Sequence, residues 1–249
     1  MTWERSGFPT RCTDSSWSAI GADAAEWTSP DGRAVETGRR AFEALGRAFC
    51  LSRLLNAPGN FTASKLAWVK AMEPDVFARA RKVLLPGDFI ALRLTGRAST
   101  TPSGLSEGIF WDFEREAPSA EVLDHIGVDP RLLPDAAPAF SIHGEVTKRA
   151  AEATGLRAGT PVAYRAGDQP NNAFSLGVLA PGEAAATAGT SGVVYGVTDR
   201  RVVDPRSRVN AFVHVNHAAD APRYGLLLCV NGAGSLYRWM RQGLWAEAG

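Results

Sequence analysis

Three cysteines in 249 residues, Cys12, Cys50 and Cys229, are too few and too scattered for a disulfide framework or a zinc site. That number suits a reducing compartment. No apolar run approaches the roughly 20 residues needed to span a bilayer. The opening Met1-Thr-Trp-Glu-Arg-Ser lacks the basic region and apolar stretch of a secretory signal, so a cytoplasmic protein is expected. Neither sign of charge is in excess: 27 Lys and Arg against 26 Asp and Glu leave a formal net charge of +1. Such a chain has no bulk field with which to attract nucleic acid or an anionic membrane, and neither is expected as a partner. What is present is ordinary globular material, 45% hydrophobic and 21% charged, with ample apolar residues for a core.

Residues 1–50 are weakly patterned, rich in Trp, Ser, Arg, Gly and Ala, and read as a poorly ordered arm or an out-of-frame stretch. Only Val35 to Leu54 carries a helical stripe there, with Phe42, Leu45, Phe49, Cys50 and Leu54 roughly on one side. From Asn56 the signals sharpen. Thr62 is placed to cap a helix through Lys70, and Glu73-Pro74 opens another to about Lys82. Pro86-Gly87-Asp88 precedes a third, which stops at Thr95-Gly96. Residues 97–110 are small and polar and read as a loop or short irregular strands. Helices from Ser119 to His125 and from Lys148 to Thr154 end at Gly127 and Gly155. Thr160 to Arg165 reads as a strand that leaves through Asp168-Gln-Pro into a helix over Asn171 to Leu179. Strands follow over 184–188, 193–198, 209–215 and 224–230, then a helix over Leu236 to Leu244. The tracts Phe110-Trp111-Asp112-Phe113 and Tyr237-Arg238-Trp239 read as packing aromatics.

Two local features can carry chemistry. In Gly189-Thr190-Ser191-Gly192, backbone amides and two hydroxyls can converge on phosphate oxygens. A plain hairpin turn is the competing reading. No Gly-Lys-Thr/Ser follows to make a Walker A loop, and Val193 rather than Gly excludes a serine-hydrolase elbow. Asp168 sits where α/β proteins place ligand and catalytic groups, at the exit of a strand. It can take the proton from a hydroxyl that attacks phosphorus, or it can simply cap the next helix. His214 and His217, three apart on a strand, face opposite sides and do not suggest a shared metal.

In order along the chain, Leu54-Leu-Asn-Ala-Pro-Gly-Asn, Glu73-Pro, Leu85-Pro-Gly-Asp-Phe-Ile, Arg93-Leu-Thr-Gly, Gly155-Leu-Arg-Ala-Gly-Thr-Pro-Val, Gly167-Asp-Gln-Pro-Asn-Asn and Ala188-Gly-Thr-Ser-Gly-Val resemble the FGGY family of carbohydrate kinases, and within it the xylulokinases. The resemblance covers about residues 51–245. It implies an α/β, actin/hexokinase-like (ribonuclease-H-like) two-lobe kinase, here incomplete at both ends. Residues 51–177 would then be the C-terminal part of the first lobe and 178–249 the start of the second. The family's opening Asp-x-Gly-Thr type loop and its closing adenosine motif find no match. The activity implied is ATP-dependent phosphorylation of a ketopentose such as D-xylulose, with Mg. Asp168 would be the general base, Gly189, Thr190, Ser191 and Gly192 the phosphate loop, and Asn171 and Asn172 sugar contacts or helix-surface amides. A small-molecule sugar is the expected partner, and the intact family member can be a homodimer. A non-catalytic fragment that binds sugar weakly or docks on a partner is the alternative.

Overall fold

The computed structural model of the chain describes residues 19–20, 32–189, 191–230 and 232–243. A two-residue strand, β1 (Ala19–Ile20), pairs antiparallel with β2 (Val83–Leu84). Between them lie α1 (Val35–Leu45), α2 (Arg47–Phe49) running into a π-helical turn at Cys50–Leu54, α3 (Thr62–Met72) and α4 (Pro74–Ala78). Then come α5 (Pro86–Thr95), β3 (Ser99–Thr100), α6 (Pro102–Glu107), β4 (Trp111–Asp112), β5 (Ala117–Pro118) and α7 (Ala120–Ile126). β6 (Asp135–Ala136), β7 (Gly144–Glu145), α8 (Lys148–Thr154), β8 (Pro161–Val162) and α9 (Asp168–Ser175) follow. The chain then builds one antiparallel sheet from β9 (Ala184–Ala188), β10 (Gly192–Thr198), β11 (Val209–Val213) and β12 (Tyr224–Val230), in the order β11-β12-β10-β9. The last described element is α10 (Ala233–Gly243).

The arm expected over residues 1–50 lies largely outside the described residues up to residue 31. From Ala34 onward, however, it is part of the core: Ala34, Ala41 and Cys50 are buried, and Phe42, Leu45 and Phe49 pack against the same cluster. Docking depends on Gly38. A Cβ there would stand 1.7 Å from the carbonyl oxygen of Gly59, so α1 lies directly against the backbone that leads into α3. The stripe of Phe42, Leu45 and Phe49 and this close approach dock the segment together.

At β11 the sheet is covered on both faces, while β9 is largely exposed. Ala211 and Val213 of β11 join the main core with Leu54, Leu66, Ile109, Phe113 and Leu123. Phe212, between them, points the other way into a second cluster with Ala173, Val178, Tyr195, Val197 and Leu227. Opposite facing of successive strand residues, each with its own apolar layer, accounts for the apolar run Ala211-Phe212-Val213 in β11. Asn56 ties the helical part to this strand. Its buried side-chain amide donates to the Ala211 carbonyl at 2.7 Å and accepts the Ala211 N–H at 2.9 Å.

Local signals and tertiary forces agree in some places and part in others. Ser119 caps α7 and Thr147 caps α8, with Gly127 and Gly155 in the left-handed conformation at the ends, as expected. Thr62 does not cap α3: Phe61 holds that position and Thr62 is already inside the helix. α4 ends at Ala78, and Lys82 beyond it donates to the carbonyls of Arg131 and Leu133 at 2.8 and 3.0 Å. The strand expected over Thr160 to Arg165 shrinks to Pro161–Val162, and the stretch read as a loop contains α6. Phe110, Trp111 and Phe113 are core residues, but Tyr237 and Trp239 are exposed on α10 rather than packed.

Asp112 is fully buried beside Arg53, whose Nε donates to Oδ1 at 2.9 Å; the amides of Glu114 and Arg115 donate to the same oxygen at 2.9 and 3.0 Å. Burial opposes the ionised form, but these bonds outweigh it and hold the carboxyl below its ordinary value. A carboxyl lowered by folding stabilises the fold fully above its unfolded pKa of about 4 and loses that contribution as pH falls through the folded value. Asp112→Ala leaves three part-buried donors without their acceptor and is expected to cost about 2 kcal/mol at neutral pH. Urea melts of both proteins should show the gap closing steadily below about pH 4.

Candidate functional site

The loop that ends β8 delivers Asp168 to the first position of α9, and a buried polar network holds that loop. Arg165 Nη1 donates to Asp88 Oδ1 at 2.7 Å, while Nη2 donates to Ser99 Oγ at 3.2 Å and to His143 Nδ1 at 3.3 Å. The His143 ring accepts through Nδ1, so its Nε2–H faces the Ala139 carbonyl at 3.3 Å, the pattern of a neutral imidazole. Burial lowers the His143 pKa and favours that form. Burial likewise pushes Asp88 up and Arg165 down, and their mutual attraction opposes both shifts. The pair anchors α5 to the segment just before the site.

Gly167 is the cap residue of α9 and has no side chain to offer it. Its amide donates to Ser103 Oγ at 3.2 Å. The carboxylate of Glu107 fills the space where a Cβ would stand, with Oε2 2.0 Å from that position. The amides of Asp168 and Gln169 donate to the same carboxylate. Burial first, and the Asp168 charge second, raise the Glu107 carboxyl well above the usual range. Sequence reasoning missed Glu107, since it lies in the stretch read as a loop. The available signal was Thr101-Pro102, a capping residue followed by proline at the first helical position, which marks the start of α6.

Asp168 is half-buried, and Gln169 Nε2 lies 3.5 Å from its Oδ2. Asn171 and Asn172 follow it by three and four residues, so all three share one side of α9. Both asparagines are exposed. Asn171 Oδ1 accepts from the Tyr164 hydroxyl at 2.9 Å, and the Tyr164 ring packs on Phe140 and Phe174 with centroids 4.9 and 5.2 Å away.

The glycine turn joins β9 to β10, with Gly192 opposite Ala188 on one side and Val230 on the other. The Gly189 amide is committed to the Ser191 carbonyl at 3.0 Å, and Ser191 is buried. Thr190 lies outside the described residues. A Cβ on Gly192 would be 3.3 Å from the Cβ of Ala233, so the start of α10 adjoins the turn. The helix begun by Asp168 and the strand begun by Gly192 meet through Ala173, Tyr195 and Val197 in the second core cluster. A cavity of about 300 Å³ lies elsewhere, lined by Ala41, Leu45, Ala67, Val122 and Ile126 among others, and no residue of this site borders it. His214 and His217 are engaged separately. His214 takes the Tyr195 hydroxyl at Nδ1 and reaches the Val178 carbonyl through Nε2, while His217 Nδ1 accepts the Arg223 amide. Among the described residues no three His, Cys, Asp or Glu side chains group to hold a metal, and no helix is long and apolar enough to cross a membrane.

The model of the N-terminal domain of the FGGY family of carbohydrate kinases matches residues 31–175. Xylulose kinase of Streptomyces rubiginosus is 38% identical over 184 residues, 73% of this chain and 38% of that protein. Among solved structures, xylulose kinase from Rhodospirillum rubrum superposes with a TM-score of 0.82 at 26% identity, covering 94% of this chain and 48% of that one. A xyloylose kinase from Brucella ovis gives 0.81 at 28%, with the same coverage. The chain therefore spans about two-fifths of the length of the first curated relative and about half of the solved chains.

Proposed function

The chain belongs to the FGGY family of carbohydrate kinases, with its actin/hexokinase-like fold, and we propose that it serves ATP-dependent phosphorylation of a ketopentose such as D-xylulose in the cytoplasm. The observation that carries this reading is the placement of Asp168: a half-buried carboxylate at the first position of a helix, on the same side as two exposed asparagines, held by a loop locked through Arg165 and Asp88. Asp168 takes the proton from one sugar hydroxyl as that oxygen attacks the γ-phosphorus. The bond to the β–γ bridging oxygen breaks, and ADP leaves. Asn171 and Asn172 orient the sugar through its other hydroxyls. Phosphoryl transfer asks mainly for alignment and charge stabilisation, so one base and a phosphate cradle go far.

The turn at Gly189, Ser191 and Gly192 adjoins the start of α10, whose first amides suit phosphate oxygens, although its own Gly189 amide is turned inward to Ser191. Thr190 would add a hydroxyl. Magnesium commonly keeps several waters and rides on nucleotide phosphates with only one or two carboxylates, which fits a chain whose described residues form no metal cage. In this reading residues 51–177 close the first lobe and residues 178–249 begin the second, so the sugar lies on the first and the phosphates on the second.

The test is ADP release from MgATP, measured with D-xylulose, glycerol and gluconate in parallel. Release that rises with D-xylulose and saturates supports the proposal. Release that is the same with and without any sugar overturns it.

A further inference from the structure

We propose that Glu107 is a positioning residue of this site: it caps α9 from outside the helix and so fixes the direction in which Asp168 is presented. The inference relies on the kinase reading only for what Asp168 does. A helix start leaves its first N–H groups without intrahelical partners, and these are ordinarily met by the cap side chain. At α9 that residue is Gly167 and supplies nothing. Ser103 and Glu107, four residues apart on α6 and therefore on one side of it, take over: Ser103 Oγ accepts the Gly167 amide, and the Glu107 carboxylate accepts those of Asp168 and Gln169. Three consecutive amides are thus held by one turn of a different helix. Glycine at 167 is required by the arrangement, because any Cβ would occupy the carboxylate's place.

The groups around Glu107 define its charge. Asp168 faces it from α9, Asp88 from α5 and the buried Tyr195 from β10, while the Arg165 guanidinium is bonded to Asp88. Its second oxygen, Oε1, is buried without a hydrogen-bond partner. Burial and these neighbours raise its carboxyl well above the ordinary range, while the two amides it accepts pull the other way.

Hydrogen exchange of individual amides, followed by NMR, decides the matter. Glu107→Ala should speed exchange at Asp168 and Gln169 by about tenfold or more, while Glu107→Gln, neutral and of the same reach, keeps both within about twofold of the parent. Gly167→Ala should reproduce the Glu107→Ala pattern with Glu107 still present. In the turnover assay, Glu107→Ala should lower kcat with the KM for ATP nearly unchanged, and Glu107→Gln should restore it. Unchanged exchange in Glu107→Ala, or a glutamine variant as impaired as the alanine one, overturns the proposal. If no variant, the parent included, turns over sugar, the kinase reading falls while the exchange data still decide the cap.

Discussion

Asp168→Asn is expected to lower D-xylulose-dependent ADP release by about 10²–10⁴-fold, the range over which a positioned general base contributes. Asparagine keeps the shape and the hydrogen-bonding reach of the side chain but cannot hold the proton that leaves the sugar. Binding should survive, because Asn171 and Asn172 remain on the same side of α9 and the Arg165 network is untouched. Isothermal titration with D-xylulose should therefore give an affinity close to that of the parent while the rate collapses. A variant that kept a tenth or more of the parent rate would show that Asp168 is not the base.

Gly38→Ala is the second large effect, and it acts on stability. The added methyl would meet the Gly59 carbonyl oxygen at 1.7 Å and its carbon at 2.6 Å, with Ser64 Oγ at 2.9 Å. Backbone cannot turn aside as a flexible side chain can, so α1 must lift from the start of α3. Overpacking of this kind costs about 3 kcal/mol, which for a chain of this length lowers Tm by roughly 6–12 °C. Gly87→Ala is the matched control. A Cβ there meets nothing within 4 Å, and thermal denaturation should leave that variant near the parent.

Much of the fold was legible wherever the cause is local. Ser119 and Gly127 bracket α7, and Thr147 and Gly155 bracket α8, because capping is settled within a few residues of the helix end. The limits of β9 and β12 likewise follow from their own composition. α6 was not legible as a helix. Ser, Gly and Thr make poor helices by themselves, and this one is held by Thr101 at its start and by Ser106, whose hydroxyl accepts the Val213 amide far along the chain. The same distinction runs through the site. Asp168 and the glycine turn are visible in their own neighbourhoods, whereas Glu107 acquires a role only when α6 is laid against α9. α1 read as part of an arm although Phe42 and Leu45 gave it a stripe, because its closest approach to the core, at Gly38, is made where there is no side chain to read.

Asn56 has a consequence for how this molecule meets others. Among the described residues β11 is the outermost strand on its side, and an outermost strand is a standing template for a foreign one. Because the Asn56 amide gives Ala211 both the donor and the acceptor that an incoming chain would bring, recruitment at that point is already answered from within. With Ser106 taking the Val213 amide two residues on, the protein closes its own ladder by side chains, and removing the Asn56 amide reopens it to fibre-like growth at Ala211.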